Sequence, residues 1–476
     1  MREPIDDRPL ELHEDRYFDP TPAVRRIARQ LYDETRDLPI VGPHGHVEPR
    51  ILAEDTPFPE PASLIIKPDH YVFRLLYSQG VAMEDLGIPP QDGTPVETDP
   101  RAIWQRFAEH YHLFEGTPTG AWLDYEFYHV FGVREKLTGA SAQPIYDQIQ
   151  EKLEQPDFRP RALFERFDIE VLTTTDPAHS FLEHHRTLRK DGWGERVRPC
   201  FRPDAVFSIA DPEWADHLHA LEDAADRSIH DYSTFIEVLE DRRAFFKEMG
   251  ATSTDHGVRS PRTHRLSDQK VSELFQTALR DEATEEDERA FQAHMLMEMA
   301  RMSVEDGLVM QLHPGSFRDH NQPIHERFGT DVGGDIPVQT EYTHNLKALL
   351  NAYGNHPDLR LVVFTLDEST YSRELAPLAG HYPALRLGPP WWFHDSIEGM
   401  MRYRKRVTET ASIYNTAGFN DDTRAFCSIP ARHDLCRRVD ANYLARLVAR
   451  HQVDLKEAHR MAHALAYGLV KDTYHL

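Results

Sequence analysis

The chain has 476 residues and a formal net charge of −25, and its hydrophobic fraction of 40% is ample for a large buried core. The acidic balance argues against a nucleic-acid partner, and no window approaches the ~18 apolar residues of a membrane span. The charged start of the chain lacks the apolar region of a secretory signal, and three cysteines are too few for a disulfide framework, so we expect a cytoplasmic protein.

The basic residues are unevenly divided between the two types. Only ten of the 54 are lysine. Excess carboxylate with scarce lysine predicts an acidic surface adapted to high salt, where screening makes self-repulsion tolerable. A small anionic substrate would then need a local basic pocket.

In chain order, residues 1–49 are predicted to form a polar arm, a helix and a first strand at Leu38–Val41. Residues 50–165 show helical periodicity without a convincing strand, and we interpret them as an α-helical insertion. Residues 166–476 alternate short apolar runs with helical segments. The further runs lie near 169–174, 197–201, 250–257, 307–315, 360–369, 384–392 and 417–424.

Eight such strands alternating with helices predict an α/β fold of the TIM-type (β/α)8 barrel class. An open doubly wound sheet is the alternative. The chain contains neither glycine-rich phosphate loop that would favour it.

His44 and His46 follow the first strand with one residue between them. Side chains of an extended segment repeat every two residues, so both imidazoles point the same way and can share a divalent cation. The alternative is an ordinary pair of loop histidines in a chain that has 28.

Polar residues also follow the other predicted strands, where barrel enzymes carry their catalytic groups. Each has a plain structural alternative, such as a helix cap, a buried histidine or a core tryptophan. They are Thr173 to Asp176, Arg202, Asp255, His256, His313, Asp367, Trp391, Trp392, Asp421, Asp422 and Arg424.

An ordered series of motifs runs from about residue 25 to the C-terminus: PHGHVEP, DHYVFR, TTTDP, CFRPD, TSTDHG, LHPGSFRDHN, GPPWWF and GFNDDTR followed by RHDLCRR. This series resembles the uronate isomerase (glucuronate isomerase) family, which belongs to the amidohydrolase superfamily of metal-dependent (β/α)8 barrels. Two motifs depart from the family. TTTDP replaces a motif that more often has two acidic residues before proline, and NDDTR replaces TDSR while keeping Asp422 and Arg424.

The resemblance implies that His44, His46 and Asp422 are metal ligands. Hydrolases of the superfamily often add a carboxylated lysine to the metal ligands. No lysine lies at the eight strand ends of this chain, so we expect one divalent ion rather than two. Zn²⁺ suits two imidazoles and a carboxylate, and Mn²⁺ or Co²⁺ are alternatives.

The resemblance also implies an isomerase that interconverts an aldohexuronate and its ketohexuronate by moving a proton from C2 to C1 through an enediol. Tyr71 is the candidate base, with a cation such as Arg424 favouring its phenolate, while Asp422 or His44 assists ring opening. The candidate residues for binding the acid sugar are His70, Arg202, His313, Arg318 and Trp391.

Two other functions are open at this stage. One is a metal-dependent hydrolase or decarboxylase of a small acidic substrate on the same barrel, because a fold does not determine a reaction. The other is a non-catalytic protein that binds sugar acids. In each case the partner is a small molecule, and we also expect a homo-oligomer.

Overall fold

The computed structural model describes residues 9–476, so the first eight residues of the predicted arm lie outside the described residues. The strands are β1 (Ile40–Gly42), β2 (Ile169–Thr173), β3 (Asp176–Pro177), β4 (Val197–Arg198), β5 (Phe201–Arg202), β6 (Ser253–His256), β7 (Val309–Leu312), β8 (Ser316–Phe317), β9 (Ile336–Pro337), β10 (Leu361–Val363) and β11 (Leu385–Leu387).

The α-helices up to the middle of the chain are α1 (Pro22–Thr35), α2 (Pro49–Glu54), α3 (Pro61–Ile65), α4 (His70–Ser78), α5 (Pro100–Glu109), α6 (Pro118–Tyr125), α7 (Ala142–Leu153), α8 (Pro160–Arg166), α9 (Glu183–Lys190), α10 (Asp204–Phe207), α11 (Trp214–Ala225) and α12 (Tyr232–Glu248). The remaining ones are α13 (Asp268–Ala278), α14 (Glu285–Asp306), α15 (Gln322–Phe328), α16 (Lys347–Tyr353), α17 (Ala376–Ala379), α18 (Ile397–Ala411), α19 (Ile429–Ala449), α20 (Leu455–His463) and α21 (Leu469–Tyr474). No helix within residues 9–476 combines the length and apolarity needed to cross a membrane.

The barrel strands pair in parallel, in the orders β1-β2-β4 and β3-β5-β6-β7-β10-β11. The predicted third strand is divided into β4 and β5 because Pro199 lies between them and has no N–H for the ladder. The Asp176 amide still donates to the Cys200 carbonyl at 3.0 Å, so β3 and β5 continue the pairing of β2 and β4.

The predicted eighth strand is not a regular strand, which corrects the sequence interpretation. Residues 417–423 include Gly418 and Asp422 with φ values of 81° and 43°, which interrupt an extended ladder. The Ala417 amide donates to the Leu387 carbonyl of β11 at 2.8 Å, and the Thr423 carbonyl accepts from the His46 amide at 3.1 Å. The segment therefore lies between β11 and the end of β1 and completes the (β/α)8 barrel.

Helices α2 to α8 occupy the sequence between β1 and β2, and a single apolar core joins them to the barrel. Trp104 is fully buried in this core, where its indole N–H donates to the Ala142 carbonyl at 2.9 Å. The same core includes Ile40 of β1 and Ile169 of β2. The helical region is thus packed directly onto the strand that carries the His pair.

Gly388 follows β11 and permits a close contact that supports the barrel interior. A Cβ atom at this position would lie 2.3 Å from Cδ1 of Phe364, whose ring stacks on His313 with centroids 3.8 Å apart. We expect Gly388→Ala to displace Phe364 and to destabilise the fold by about 1–3 kcal/mol, the usual range for overpacking. Thermal unfolding measures the change.

The matched control is Gly468→Ala, because a Cβ atom there has no heavy atom within 4 Å. We expect this variant to match or slightly exceed the stability of the natural protein, since alanine favours a helix over glycine. Equal melting temperatures for the two variants would contradict the packing role of Gly388.

Candidate active site

His44, His46 and Asp422 meet at the carboxyl end of the barrel. Oδ1 of Asp422 lies 3.3 Å from Nε2 of His44 and 3.2 Å from Nε2 of His46. The loop between the histidines is held by Thr175, whose hydroxyl donates to the Gly45 carbonyl at 2.9 Å. Asp422, which follows His46 by 376 positions in the sequence, is therefore adjacent to both histidines in space.

This trio fits a divalent metal ion. Its ligand atoms lie within 4.8 Å of one another, and both carboxylate oxygens of Asp422 are buried without a hydrogen-bond donor. Metal–ligand bonds of about 2.0–2.1 Å at tetrahedral or octahedral angles place neighbouring ligand atoms about 2.8–3.4 Å apart. The two nitrogen-to-oxygen distances match that spacing, so the site supports a metal ion.

The charges of the trio depend on one another. Burial opposes ionisation of Asp422, but His44 and His46 hold the pKa of its carboxyl well below the usual value. Burial also opposes protonation of His44, yet the carboxylates of Asp422 and Asp255 hold its pKa well above 6.5. For His46 burial prevails and lowers the pKa. Asp422 is therefore a buried, ionised carboxylate, and its negative charge would stabilise a bound cation.

His313 and Arg202 share one carboxylate, that of Asp255. Nδ1 of His313 lies 2.5 Å from Oδ1 of Asp255, and Nη1 of Arg202 lies 3.4 Å from Oδ2. Arg202 also donates through Nε to Asp204 at 2.7 Å. The hydrogen bond to Asp255 orients the His313 ring, which stacks on His44 with centroids 4.6 Å apart.

Tyr71 and His70 form the opposite wall at the start of α4. The Asp69 carboxylate caps this helix by accepting from the Tyr71 amide at 2.8 Å. The Tyr71 ring stacks on His70 at 4.8 Å and meets the edge of Trp122 at 5.6 Å. The helix start therefore turns both predicted side chains toward the cavity.

The protonation of Tyr71 differs from the sequence expectation. Burial first, and then the Asp395 carboxylate, raise the pKa of the Tyr71 phenol well above 10, while Arg432 opposes them. The cation that faces the ring is Arg432, at 5.3 Å from the ring centroid, and Arg424 instead pairs with Asp331 at 2.9 Å. The phenol is therefore protonated in the free protein, which corrects the expected help from Arg424.

Arg318 and Arg424, the other two predicted arginines, are also paired with carboxylates. Nη1 of Arg318 donates to Asp335 at 2.6 Å, while Arg424 donates to Asp331. Their side chains are partly exposed, at 48% and 36%. They are accessible to a second carboxylate, such as that of an acid substrate, which would compete with these pairs.

A cavity of about 540 Å³ unites these groups. This volume lies within the usual range for sites that bind small molecules. All ten residues to which the family resemblance gives a role line the cavity, namely His44, His46, His70, Tyr71, Arg202, His313, Arg318, Trp391, Asp422 and Arg424. Of the other polar residues at the predicted strand ends, Thr175, Asp255 and Trp392 line it, whereas Thr173, Thr174, Asp176, His256, Asp367 and Asp421 do not.

The sequence interpretation assigned no role to several residues of this region. Asp255 and Arg432 stand within the quoted motifs TSTDHG and RHDLCRR, so a signal was present. Asp331 and Asp395 lie outside the recognised motif positions, and only the folded chain reveals that they pair with Arg424 and Arg432.

Glu126 is a buried carboxyl group close to this region. Burial, reinforced by Asp69, raises its pKa to about 8. The folded state then binds this proton more tightly than the unfolded chain, so the contribution of Glu126 to stability is full below pH 4.5 and is lost as the pH rises through 8. We expect Glu126→Gln to be more stable than the natural protein by over about 1 kcal/mol at pH 9.

Unfolding at pH 5 and pH 9 measures this effect. The exposed Glu151 of α7 serves as the control, and we expect Glu151→Gln to change stability little at either pH. A Glu126→Gln variant with the same pH dependence as the natural protein would show that this carboxyl does not titrate in the raised range.

A sequence profile of the family described as glucuronate isomerase matches residues 22–474 of this chain. The chain belongs to this family. A uronate isomerase from Nostoc punctiforme is 55% identical over 98% of both chains, and one from Rhizobium meliloti is 54% identical over 95% of this chain and 97% of the relative.

Solved structures agree with the family assignment. The crystal structure of a glucuronate isomerase from Caulobacter crescentus matches with a TM-score of 0.96 and 50% identity over 98% of each chain. A uronate isomerase from Thermotoga maritima matches with a TM-score of 0.91 and 27% identity, over 98% of this chain and 99% of that one. These matches confirm the family and the fold class expected from the motifs.

Proposed function

We propose that this chain is an aldose–ketose isomerase that interconverts D-glucuronate and D-fructuronate, D-galacturonate and D-tagaturonate, or both pairs. The observation that carries the proposal is the cavity in which the proposed metal-binding trio, Tyr71 and the arginines lie together, in a chain that matches the family over residues 22–474. Hydrolysis or decarboxylation is not favoured by any of the relatives described above.

The arginines supply the local basic pocket that an acidic protein needs for an acid sugar. Arg202 is held from behind by Asp204 and Asp255, whereas Arg318 is half exposed. A planar guanidinium binds a carboxylate through two parallel hydrogen bonds. We assign Arg318 and Arg424 to the substrate carboxylate and Arg202 to its hydroxyl groups. The indole of Trp391, 4.8 Å from the His313 ring, supplies an apolar face for the sugar.

Proton transfer is assigned to Tyr71. A protonated phenol can give its proton to the ring oxygen as the sugar opens, while the Asp422 carboxylate takes the proton from O1. The resulting phenolate then removes the proton from C2 and returns it at C1, and the proton on O2 moves to O1. As the ketose ring closes, the O5 hydroxyl returns its proton to the Tyr71 phenolate and Asp422 gives its proton to O2, which restores both groups. This order needs no phenolate in the free protein, in agreement with the raised pKa of Tyr71.

We infer that His44, His46 and Asp422 hold Zn²⁺, with Mn²⁺ or Co²⁺ as alternatives that the same ligands accept. When bound, the metal would orient the reacting oxygens and stabilise negative charge on them. His70, stacked on Tyr71, has its pKa lowered to about 3 by burial and is therefore a neutral hydrogen-bonding group for the substrate.

The remaining sequence predictions are a cytoplasmic location, a homo-oligomer and a surface adapted to high salt. The last rests on the net charge of −25 and has a simple test. Unfolding on dialysis into low salt would support it, and a melting temperature indifferent to salt would contradict it.

The proposed function is tested by proton NMR of the products formed from D-glucuronate and D-galacturonate, with and without a chelator. We expect the corresponding ketohexuronate from at least one substrate, and slower turnover after metal removal. Unchanged aldohexuronate with the metal-loaded protein would contradict the proposal.

A further inference from the structure

Arg432 lies behind the wall of the active-site cavity and is only 2% exposed. Its Nε donates to the Ser428 hydroxyl at 2.8 Å, and its Nη1 donates to Oδ2 of Asp395 at 2.9 Å. The same Nη1 lies 3.4 Å from the backbone carbonyl of Asp421, the residue that precedes the metal ligand Asp422. One guanidinium therefore contacts the segment that carries a metal ligand.

The same guanidinium faces two aromatic rings of the helical region. Its Cζ lies 3.6 Å from the ring centroid of Trp122 and 5.3 Å from that of Tyr71. Tyr71 in turn meets Trp122 edge-on at 5.6 Å. Arg432 thus joins the start of α4 to residues 421–422, two elements from opposite ends of the chain.

We propose that Arg432 is a positioning residue that holds the Tyr71 phenol at its working distance from the Asp422 metal ligand, an inference that rests on the proposed function. Arg432 does not line the cavity, so it acts through Tyr71 and not on the substrate. The planar fork suits this task because separate N–H groups reach Ser428 and Asp395 while the flat face covers an indole.

A contribution to folding stability does not by itself explain why Arg432 and Asp395 are buried as a pair. A buried arginine–carboxylate pair loses the hydration of both charges, and replacing such a pair by apolar side chains is often neutral. A position that only filled space would be served by an apolar residue. Orienting Tyr71 does explain the buried pair, because it requires both the charge and the planar shape of the Arg432 guanidinium.

The test compares Arg432→Met, which keeps length and loses the charge, with Arg432→Lys, which keeps the charge and loses the fork. For Arg432→Met we expect kcat to fall about 100-fold, the usual effect of misplacing a reacting group by about 1 Å. We expect KM to change less than about threefold and metal content to match the natural protein, because the cavity and the ligands are intact. For Arg432→Lys we expect a smaller loss of about tenfold.

Arg404 provides a matched control. It is 3% exposed and forms the same kind of buried pair, with its Nε and Nη2 at 2.6 and 2.9 Å from the Asp440 carboxylate. Arg404 also lies outside the residues that line the cavity. Arg404→Met should lower the melting temperature about as much as Arg432→Met while keeping kcat near that of the natural protein.

The rate is read as loss of the C2 hydrogen of the uronate in deuterated water, with metal content and melting temperature measured on the same samples. A selective loss of kcat in the Arg432 variants, at full metal content, supports the inference. Equal kcat in both Met variants, or a loss that follows lost metal, would overturn it. If the natural protein isomerises neither uronate, the proposed function itself fails, and the two failures are distinguishable.

Discussion

We expect Asp422→Asn to lose bound metal and turnover together, with kcat lower by about a thousandfold. The carboxylate is the only anionic ligand of the trio, and its oxygens have no other partner among residues 9–476. The charge stabilisation supplied by a metal is worth several kcal/mol, and each ~1.4 kcal/mol is a factor of ten in rate. Metal analysis after dialysis and product NMR measure the two effects.

Asp421→Asn is the control for that variant. Its carboxylate is even more buried but faces His433, with Oδ2 at 3.1 Å from Nε2, and it does not line the cavity. We expect Asp421→Asn to keep its metal. Full metal content in Asp422→Asn after dialysis would contradict ligation by Asp422.

The second large effect is expected for Tyr71→Phe. Phenylalanine keeps the ring that packs on Trp122, His70 and Arg432, and only the hydroxyl is lost. General acid–base catalysis contributes about 10²–10⁴-fold, so we expect a loss of kcat in that range with metal content unchanged. Loss of the C2 hydrogen of the uronate, followed by NMR in deuterated water, should fall in parallel.

Tyr77→Phe is the control on the same helix. Tyr77 is 37% exposed on α4 and does not line the cavity, so we expect normal turnover. Loss of the C2 hydrogen at the natural rate in Tyr71→Phe would show that another residue transfers the proton, with Asp422 and His44 as the next candidates.

The sequence predicts which residues meet at the cavity better than it predicts the regularity of the barrel. The spacing of His44 and His46 after an apolar run is a local signal, so the shared direction of the two imidazoles could be inferred at once. Asp422 is predicted only by the motif resemblance, because no local pattern links it to His46, 376 positions earlier. The eighth strand was overpredicted, since its apolar run conceals two residues with positive φ.

The electrostatic partners could not be predicted, because they join elements distant in sequence. Asp331 pairs with Arg424, and Asp395 pairs with Arg432, and both contacts form only in the folded chain. The raised pKa of Tyr71 has the same origin, since burial and Asp395 act on it across helices. Composition and motifs contain no measure of burial, so they could not predict that Tyr71 is a protonated phenol in the free protein.

The most direct test of the account is to incubate the metal-loaded protein with D-glucuronate and D-galacturonate in deuterated water and to analyse the product by mass spectrometry and NMR. We predict a ketohexuronate without added water or lost carbon dioxide, with exchange confined to hydrogen on C1 and C2. A hydrated or decarboxylated product, or a bound uronate that never loses its C2 hydrogen to C1 or to solvent, would contradict the assignment of this site as an isomerase.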